Sequence, residues 1–164
     1  GPSKIWLNVH RIAHKLGIKT NATMLYGHIE TLEDRISHMD QLRKLQDETG
    51  GFYSFVPLKF HPHGTRFSHL QPTSAYEDLR TIAISRIFLD NIPHVKAYWV
   101  MLGLGVAQIA QYFGADDLHG TVIQENITRM AGGKSPQGLT ESELKQLITS
   151  AGRVPVCASS PNLL

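Results

Sequence analysis

Apolar residues recur along this chain first at helical spacing and then at strand spacing, and that alternation is the first clue to its architecture. Ile5, Val9, Ile12 and Leu16 stand on one helical stripe, with Gly17 as the stop. The spacing predicts a helix over 5–16 and a strand over 18–26. Thr31 then offers an N-cap for a second helix, whose stripe is Leu32, Ile36, Met39, Leu42 and Leu45 and whose end is Gly50-Gly51. Residues 52–60 are strongly β in character. Pro57 removes a ladder donor there, which predicts an edge position or a bulge.

Residues 61–73 mix Pro, Gly, His and Ser and read as a long loop. A helix over 76–90 places Leu79, Ile82, Ala83, Ile87 and Phe88 inward. A third strand is expected over 95–101, a helix near 104–113, a shorter fourth strand around 117–122 and a short helix near 124–131. Gly132 to Pro136 reads as a linker. Thr140 and Glu143 form a capping-box pair that opens a last helix, ended by Gly152.

Strand followed by helix, four times over, implies parallel strands joined by right-handed crossovers. The expected fold class is α/β, either a doubly wound open sheet or part of a (βα) barrel. A complete barrel of eight units needs roughly 250 residues, so these units amount to about half of one. The leading helix, with no strand before it, suggests a chain that begins in the middle of a fold. Gly1-Pro2-Ser3 looks like a protease-cleavage scar. Residues 4–131 are then expected to form the half-barrel of four βα units, and 132–164 a helix and tail completing the same domain.

Composition narrows the partners. The 164 residues are 41% hydrophobic with a formal charge of only +2, and Lys and Arg are dispersed, so no basic footprint for nucleic acid is visible. No run of about 18 apolar residues exists, so no membrane span is expected. The single cysteine, Cys157, rules out an internal disulfide and a cysteine-held cluster within this chain, and it suits a reducing cytoplasm. Nine histidines make the charge sensitive to acid.

In parallel α/β folds, ligands gather at the C-terminal ends of the strands. Thr23, Leu25 and Gly27 share one strand face by period two, and Gly27 would let a flat ligand approach the backbone and bond its amides. Glu30 lies where a helix begins, favouring the macrodipole or accepting from the Thr31 amide. His61-Pro62-His63, with His69 nearby, has the look of a metal pair but lacks Cys or acidic company. His61 alone is better placed as a hydrogen-bonding contact. Gly103-Leu104-Gly105 is a lone GxG, explained by close strand–helix packing. Asp116 and Asp117 should point to opposite faces, and Tyr98 and Trp99 read as core or as a ligand platform.

The runs TNATMLYGHIET, LQDETGGF, LDNIPHVKAYWVMLGL, FGADDLHGTV and SPQGLT resemble the aminofutalosine synthases of menaquinone biosynthesis, which are radical S-adenosylmethionine (SAM) enzymes. The resemblance runs from Trp6 to Val156. Cyclic dehypoxanthine futalosine synthases and deazaflavin-cofactor synthases share the layout but are less similar around 97–99 and 115–117. The resemblance implies addition of the 5′-deoxyadenosyl radical to the small-molecule substrate 3-[(1-carboxyvinyl)oxy]benzoate, in a TIM-like barrel.

The 4Fe-4S cluster of such enzymes sits in a CxxxCxxC motif that this chain lacks, so the resemblance covers the C-terminal half only, and the N-terminal half-barrel becomes an implied partner. Their adenine-contacting GxIxGxxE pattern, aligned on Gly27, implies SAM contacts at Thr23, Leu25, Gly27 and Glu30, with Thr23 offering a hydroxyl where the pattern has glycine. Substrate contacts are then expected at Asn21, His61, Trp99, Asp117, Thr121 and Arg129. The isolated chain is expected to be inactive. The alternatives are a cyclic dehypoxanthine futalosine synthase or a non-catalytic half-barrel that self-associates as a homodimer through its sheet edges.

Overall fold

The computed structural model describes residues 2–121 and 138–158. Helix α1 (Pro2–Lys15) leads into β1 (Thr20–Tyr26), α2 (Leu32–Thr49), β2 (Phe52–Lys59), α3 (Ala75–Phe88) and β3 (His94–Val95). Two short helices follow, α4 (Trp99–Leu102) and α5 (Leu104–Ala110), and the described C-terminal helix is α6 (Glu141–Ser150). The sheet order is β1-β2-β3 with both pairs parallel, as strand–helix alternation requires. The helix expected over 124–131 and the linker over 132–136 lie outside the described residues.

Local signals set the element ends. Thr31 caps α2 through a capping box with Asp34, Gly50 closes it in the left-handed region, and Thr140 and Glu143 box α6 in the same way. Beneath the sheet, Met39, Leu42 and Leu45 of α2 meet Ala22 and Met24 of β1, Phe55 of β2 and Ile82 of α3.

Three expectations are corrected. The third strand is two residues long, and Trp99 opens a helix instead of lying in a strand. Pro57 explains why. It sits in the central strand, not at an edge or bulge; the register irregularity lies at Thr20/Asn21. Phe60 N donates to Tyr26 O on the β1 side, whereas Phe55 O accepts from Lys96 N on the β3 side. By alternation the next rung toward β3 would need an N–H at residue 57, which proline lacks, so the chain peels away. The fourth strand reduces, among the described residues, to one parallel bridge between Lys96 and Asp117.

Helix faces also differ from the stripe reading. Ile5, Val9, Ile12 and Leu16 are between 51% and 72% exposed. Helix α1 packs with its other face: His10 and His14 set their rings edge-on against Phe52, and Trp6 packs on His10. His10 Nδ1 and His14 Nε2 both lie 2.8 Å from Thr20 Oγ1, and His14 Nδ1 lies 2.6 Å from Thr49 Oγ1. In α2 the stripe is buried only from Met39 onward; Leu32 and Ile36 stay exposed. In α3, Ile82 is buried and Leu79 and Phe88 pack on the core as expected, but Ile87 is 78% exposed, and the polar Asp78, Thr81 and Ser85 are buried beside them.

Candidate functional site at the C-terminal ends of β1 and β2

Strand alternation gives the sheet two unlike faces. Ala22, Met24 and Tyr26 are buried toward the helices, and Asn21, Thr23 and Leu25 lie on the opposite, open face. Their neighbours in register are Ser54, Val56 and Leu58. Asn21 Oδ1 accepts from Ser54 Oγ at 2.7 Å, which orients the amide on that face.

Beyond Tyr26 the chain turns through Gly27 at φ +87°, a left-handed conformation suited to glycine. A Cβ at this position would lie 2.4 Å from Cγ2 of Thr73. The space that the missing side chain frees is therefore filled by Thr73. The Gly27 and His28 amides donate to Glu30 Oε1 and Oε2 at 2.6 and 2.8 Å, so these two donors, expected to meet a ligand, are already committed. Glu30 does not take the Thr31 amide, which donates to Asp34 Oδ2 at 2.9 Å. Burial alone would raise the Glu30 carboxyl, but the bonds from the Gly27 and His28 amides outweigh it and hold the pKa below its ordinary value.

Arg35 supports the carboxylate. Its Nε donates to Glu30 Oε1 at 2.9 Å, and its Nη1 donates to Glu77 Oε1 at 2.6 Å and Thr81 Oγ1 at 3.1 Å. The guanidinium lies 5.3 Å from the centre of the Tyr26 ring. A second network stands beside it. The fully buried Asp78 accepts from Tyr26 Oη at 2.9 Å, Thr73 Oγ1 at 2.7 Å and Lys59 Nζ at 2.7 Å. Burial, with Asp78 adding to it, carries the Tyr26 phenol well above its ordinary pKa. Sequence reasoning passed over Arg35, Lys59, Thr73 and Asp78. The available signal was period two, which puts Tyr26 and Lys59 on the helix-facing side of their strands, where a polar group needs a buried partner.

The remaining candidates separate. Asn21, Lys96, Asp117, His119 and Thr121 line one open groove of about 1060 Å³. Asp116 and Asp117 turn to different partners: Asp116 pairs with Arg86 and His94, each at 2.8 Å, and Asp117 with Lys96 Nζ at 3.0 Å. His119 has φ +67°, the one positive φ at a non-glycine among the described residues, and its amide donates to Asp117 Oδ1 at 2.6 Å.

His61 is tied by Nε2 to Met101 O at 3.1 Å, and burial lowers its pKa. Trp99, expected at a strand tip facing substrate, is fully buried, with Nε1 donating to Gly120 O at 3.3 Å, because the helix at 99–102 turns it into the core. Arg129 lies outside the described residues. Gly103 joins two helices at φ +81°, and a Cβ there would meet nothing within 4 Å, so backbone conformation, not close packing, calls for glycine. Among the described residues no three His, Cys, Asp or Glu side chains gather to hold a metal, and no helix is long and apolar enough to cross a membrane.

Over 155 residues the chain is 54% identical to the aminodeoxyfutalosine synthase of Thermus thermophilus, covering 92% of this chain and 42% of that protein. It is 44% identical to the aminodeoxyfutalosine synthase of Streptomyces coelicolor, again over 92% of this chain and 42% of the relative. A 5-amino-6-(D-ribitylamino)uracil–L-tyrosine 4-hydroxyphenyl transferase of Archaeoglobus fulgidus is 43% identical, with 92% and 44% covered. The chain therefore spans less than half the length of these curated relatives. Residues 49–160, which begin at the last residue of α2 and run past α6, match the family model described as the CofH/MqnC C-terminal region, and the chain belongs to that family.

Proposed function

We propose that this chain is the C-terminal half of an aminofutalosine synthase of menaquinone biosynthesis, acting in the cytoplasm with an N-terminal half-barrel. The observation that carries the reading is the 54% identity to the Thermus aminodeoxyfutalosine synthase across almost the whole chain. The edge of β1, unpaired among the described residues, and the exposed Ile5–Val9–Ile12–Leu16 stripe support a preceding half that packs there and closes the barrel. In this reading the described residues up to 121 belong to the half-barrel, and α6 completes the same domain; Gln108 Nε2 donating to Leu147 O at 3.0 Å supports that docking.

The reaction proposed for the whole protein breaks the C5′–S bond of SAM, releasing methionine, joins the 5′-deoxyadenosyl group to 3-[(1-carboxyvinyl)oxy]benzoate and, after rearrangement and loss of the carboxylate as CO2, gives aminofutalosine. A 4Fe-4S cluster does not fit the donors of this chain, whose single cysteine is exposed, so the isolated chain does not cleave SAM. SAM itself fits the open face of β1. Leu25 offers an apolar seat and Thr23 a hydroxyl beside the Gly27 turn, while Glu30 acts by shaping that turn. Asn21, Asp117 and Thr121, which share the groove, supply the polar groups that orient the carboxylated substrate; His61, tied to Met101 O, stands outside that lining. The chain's own task is to bind, orient and shield from water.

The test is an anaerobic assay of the intact protein with SAM and the enol ether. Aminofutalosine is the expected product. The 43% identity to the hydroxyphenyl transferase favours a second reading, transfer of a tyrosine-derived hydroxyphenyl group to the ribitylaminouracil. Product from that pair of substrates, and none from the enol ether, would replace the first reading with the second.

A further inference from the structure

We infer that Arg35 and Glu77 are positioning residues that set the geometry of the Gly27–His28 turn, through Glu30, and so tune its affinity for the adenosyl ligand. The inference rests on the reading of this turn as the adenosyl-facing corner. Glu30 cannot be a direct ligand contact of the usual kind, since each of its oxygens already holds a turn amide. Oε1 takes Gly27 N and the Arg35 guanidinium, and Oε2 takes His28 N and lies 3.1 Å from His28 Nδ1. The carboxylate side chain is only 9% exposed, so its place is dictated by these partners and not by water.

Arg35 is in turn fixed from the far side. Its guanidinium, 12% exposed, bridges Glu30 on the loop after β1 to Glu77 on the first turn of α3. Glu77 is anchored to Arg80 on its own helix at 2.7 Å. Planar guanidinium geometry makes this bridge directional, because the two carboxylates are engaged at different edges of one rigid fork. A shift of α3 therefore moves Arg35, then Glu30, then the two amides of the turn. The neighbouring Asp78 network ties the same helix to Thr73, the residue that fills the Cβ space of Gly27. Helix α3 thus holds the corner from two sides, though none of Arg35, Glu77 or Asp78 lies on the open sheet face.

The experiment uses the intact protein and measures SAM affinity, the KM of the carboxylated substrate and the unfolding midpoint for Arg35→Met, Arg35→Lys and Glu77→Gln. Arg35→Met is expected to weaken SAM binding about tenfold, the loss of roughly one charged hydrogen bond, while the KM of the second substrate holds. Arg35→Lys should restore part of it, and Glu77→Gln, which folds with its shape kept, should show a smaller loss in the same direction. Thr20→Val, at the opposite end of β1, controls for stability: it lowers the midpoint without changing SAM affinity. Gly27→Val separates the two levels. If it abolishes SAM binding while Arg35→Met and Glu77→Gln bind as wild type, the positioning role is wrong and the turn's reading stands. If Gly27→Val also binds normally, both are wrong. Equal losses for SAM and for the second substrate, tracking the midpoint alone, would reduce Arg35 to a purely structural residue.

Discussion

At the C-terminal ends of β1 and β2 the helices are tied to the sheet by charge, whereas at the N-terminal end of β1 helix α1 is tied by neutral imidazoles. The upper end uses Glu30–Arg35–Glu77 and Lys59–Asp78, closed ion pairs with hydroxyl support. The lower end is a one-way hydrogen-bond chain. Thr49 Oγ1 donates to Leu45 O at 2.7 Å, so it accepts from His14 Nδ1. His14 Nε2 then accepts from Thr20 Oγ1, which in turn accepts from His10 Nδ1. That chain holds only while His14 is neutral, because its Nε2 must accept; His10 donates from Nδ1 in either protonation state. Gly51 permits the arrangement, since a Cβ there would lie 2.0 Å from the His14 ring. The charged end holds the Gly27 corner still; the neutral end docks a helix in a way that acid can undo.

The largest effect is expected at the charged end. Asp78→Ala removes the carboxylate shared by Lys59, Tyr26 and Thr73 and strands a largely buried ammonium, which should cost about 3–5 kcal/mol in urea unfolding. Next comes Gly27→Ala, which adds left-handed strain and a clash with Thr73, about 1–3 kcal/mol in all. Adding Thr73→Ser should recover the steric part, so a double-mutant cycle without coupling would show that Thr73 does not define the corner. At the neutral end, Thr20→Val breaks the chain between His10 and His14 and should cost about 1 kcal/mol.

The pH response sharpens the contrast most finely. Burial lowers His10, His14 and His38; His10 and Lys19 add to the effect at His14, and the Thr23 carbonyl partly offsets it at His38. With folded values below the ordinary 6.5, the unfolded chain binds more protons, so this contribution is complete above about pH 6.5 and is lost as pH falls beneath it. Glu30 is held below its ordinary 4.5, so its contribution is lost only in stronger acid. Between pH 7 and 5, protection factors, which correct for the slower intrinsic exchange in acid, should fall in α1 while the Gly27 amide keeps its protection. Parallel loss at both ends would dissolve the distinction between them.

Much of the corner was legible from residue types. Period two placed Thr23, Leu25 and Gly27 on one face, and capping chemistry placed Thr31 and Thr140 at helix starts. The braces were not legible, because Arg35 reaches Glu77 and Tyr26 reaches Asp78 across 42 and 52 residues of chain. Trp99 was misplaced for a related reason: an aromatic, β-branched run signals a strand, but pairing needs a donor from the neighbouring strand, and Pro57 withholds it.

The sequence by itself determined the α/β class, the parallel order implied by strand–helix alternation, the capped helix ends and the glycine corner after β1, because each follows from period, propensity or backbone conformation within a few residues. Only the tertiary structure decided which face of α1 is packed, how short β3 is, and what holds Gly27 in place. Those depend on partners far apart in the chain: Phe52 and Thr20 recruiting histidines over isoleucines, one proline ending a ladder, and a buried aspartate that becomes tolerable only once Lys59, Tyr26 and Thr73 converge on it.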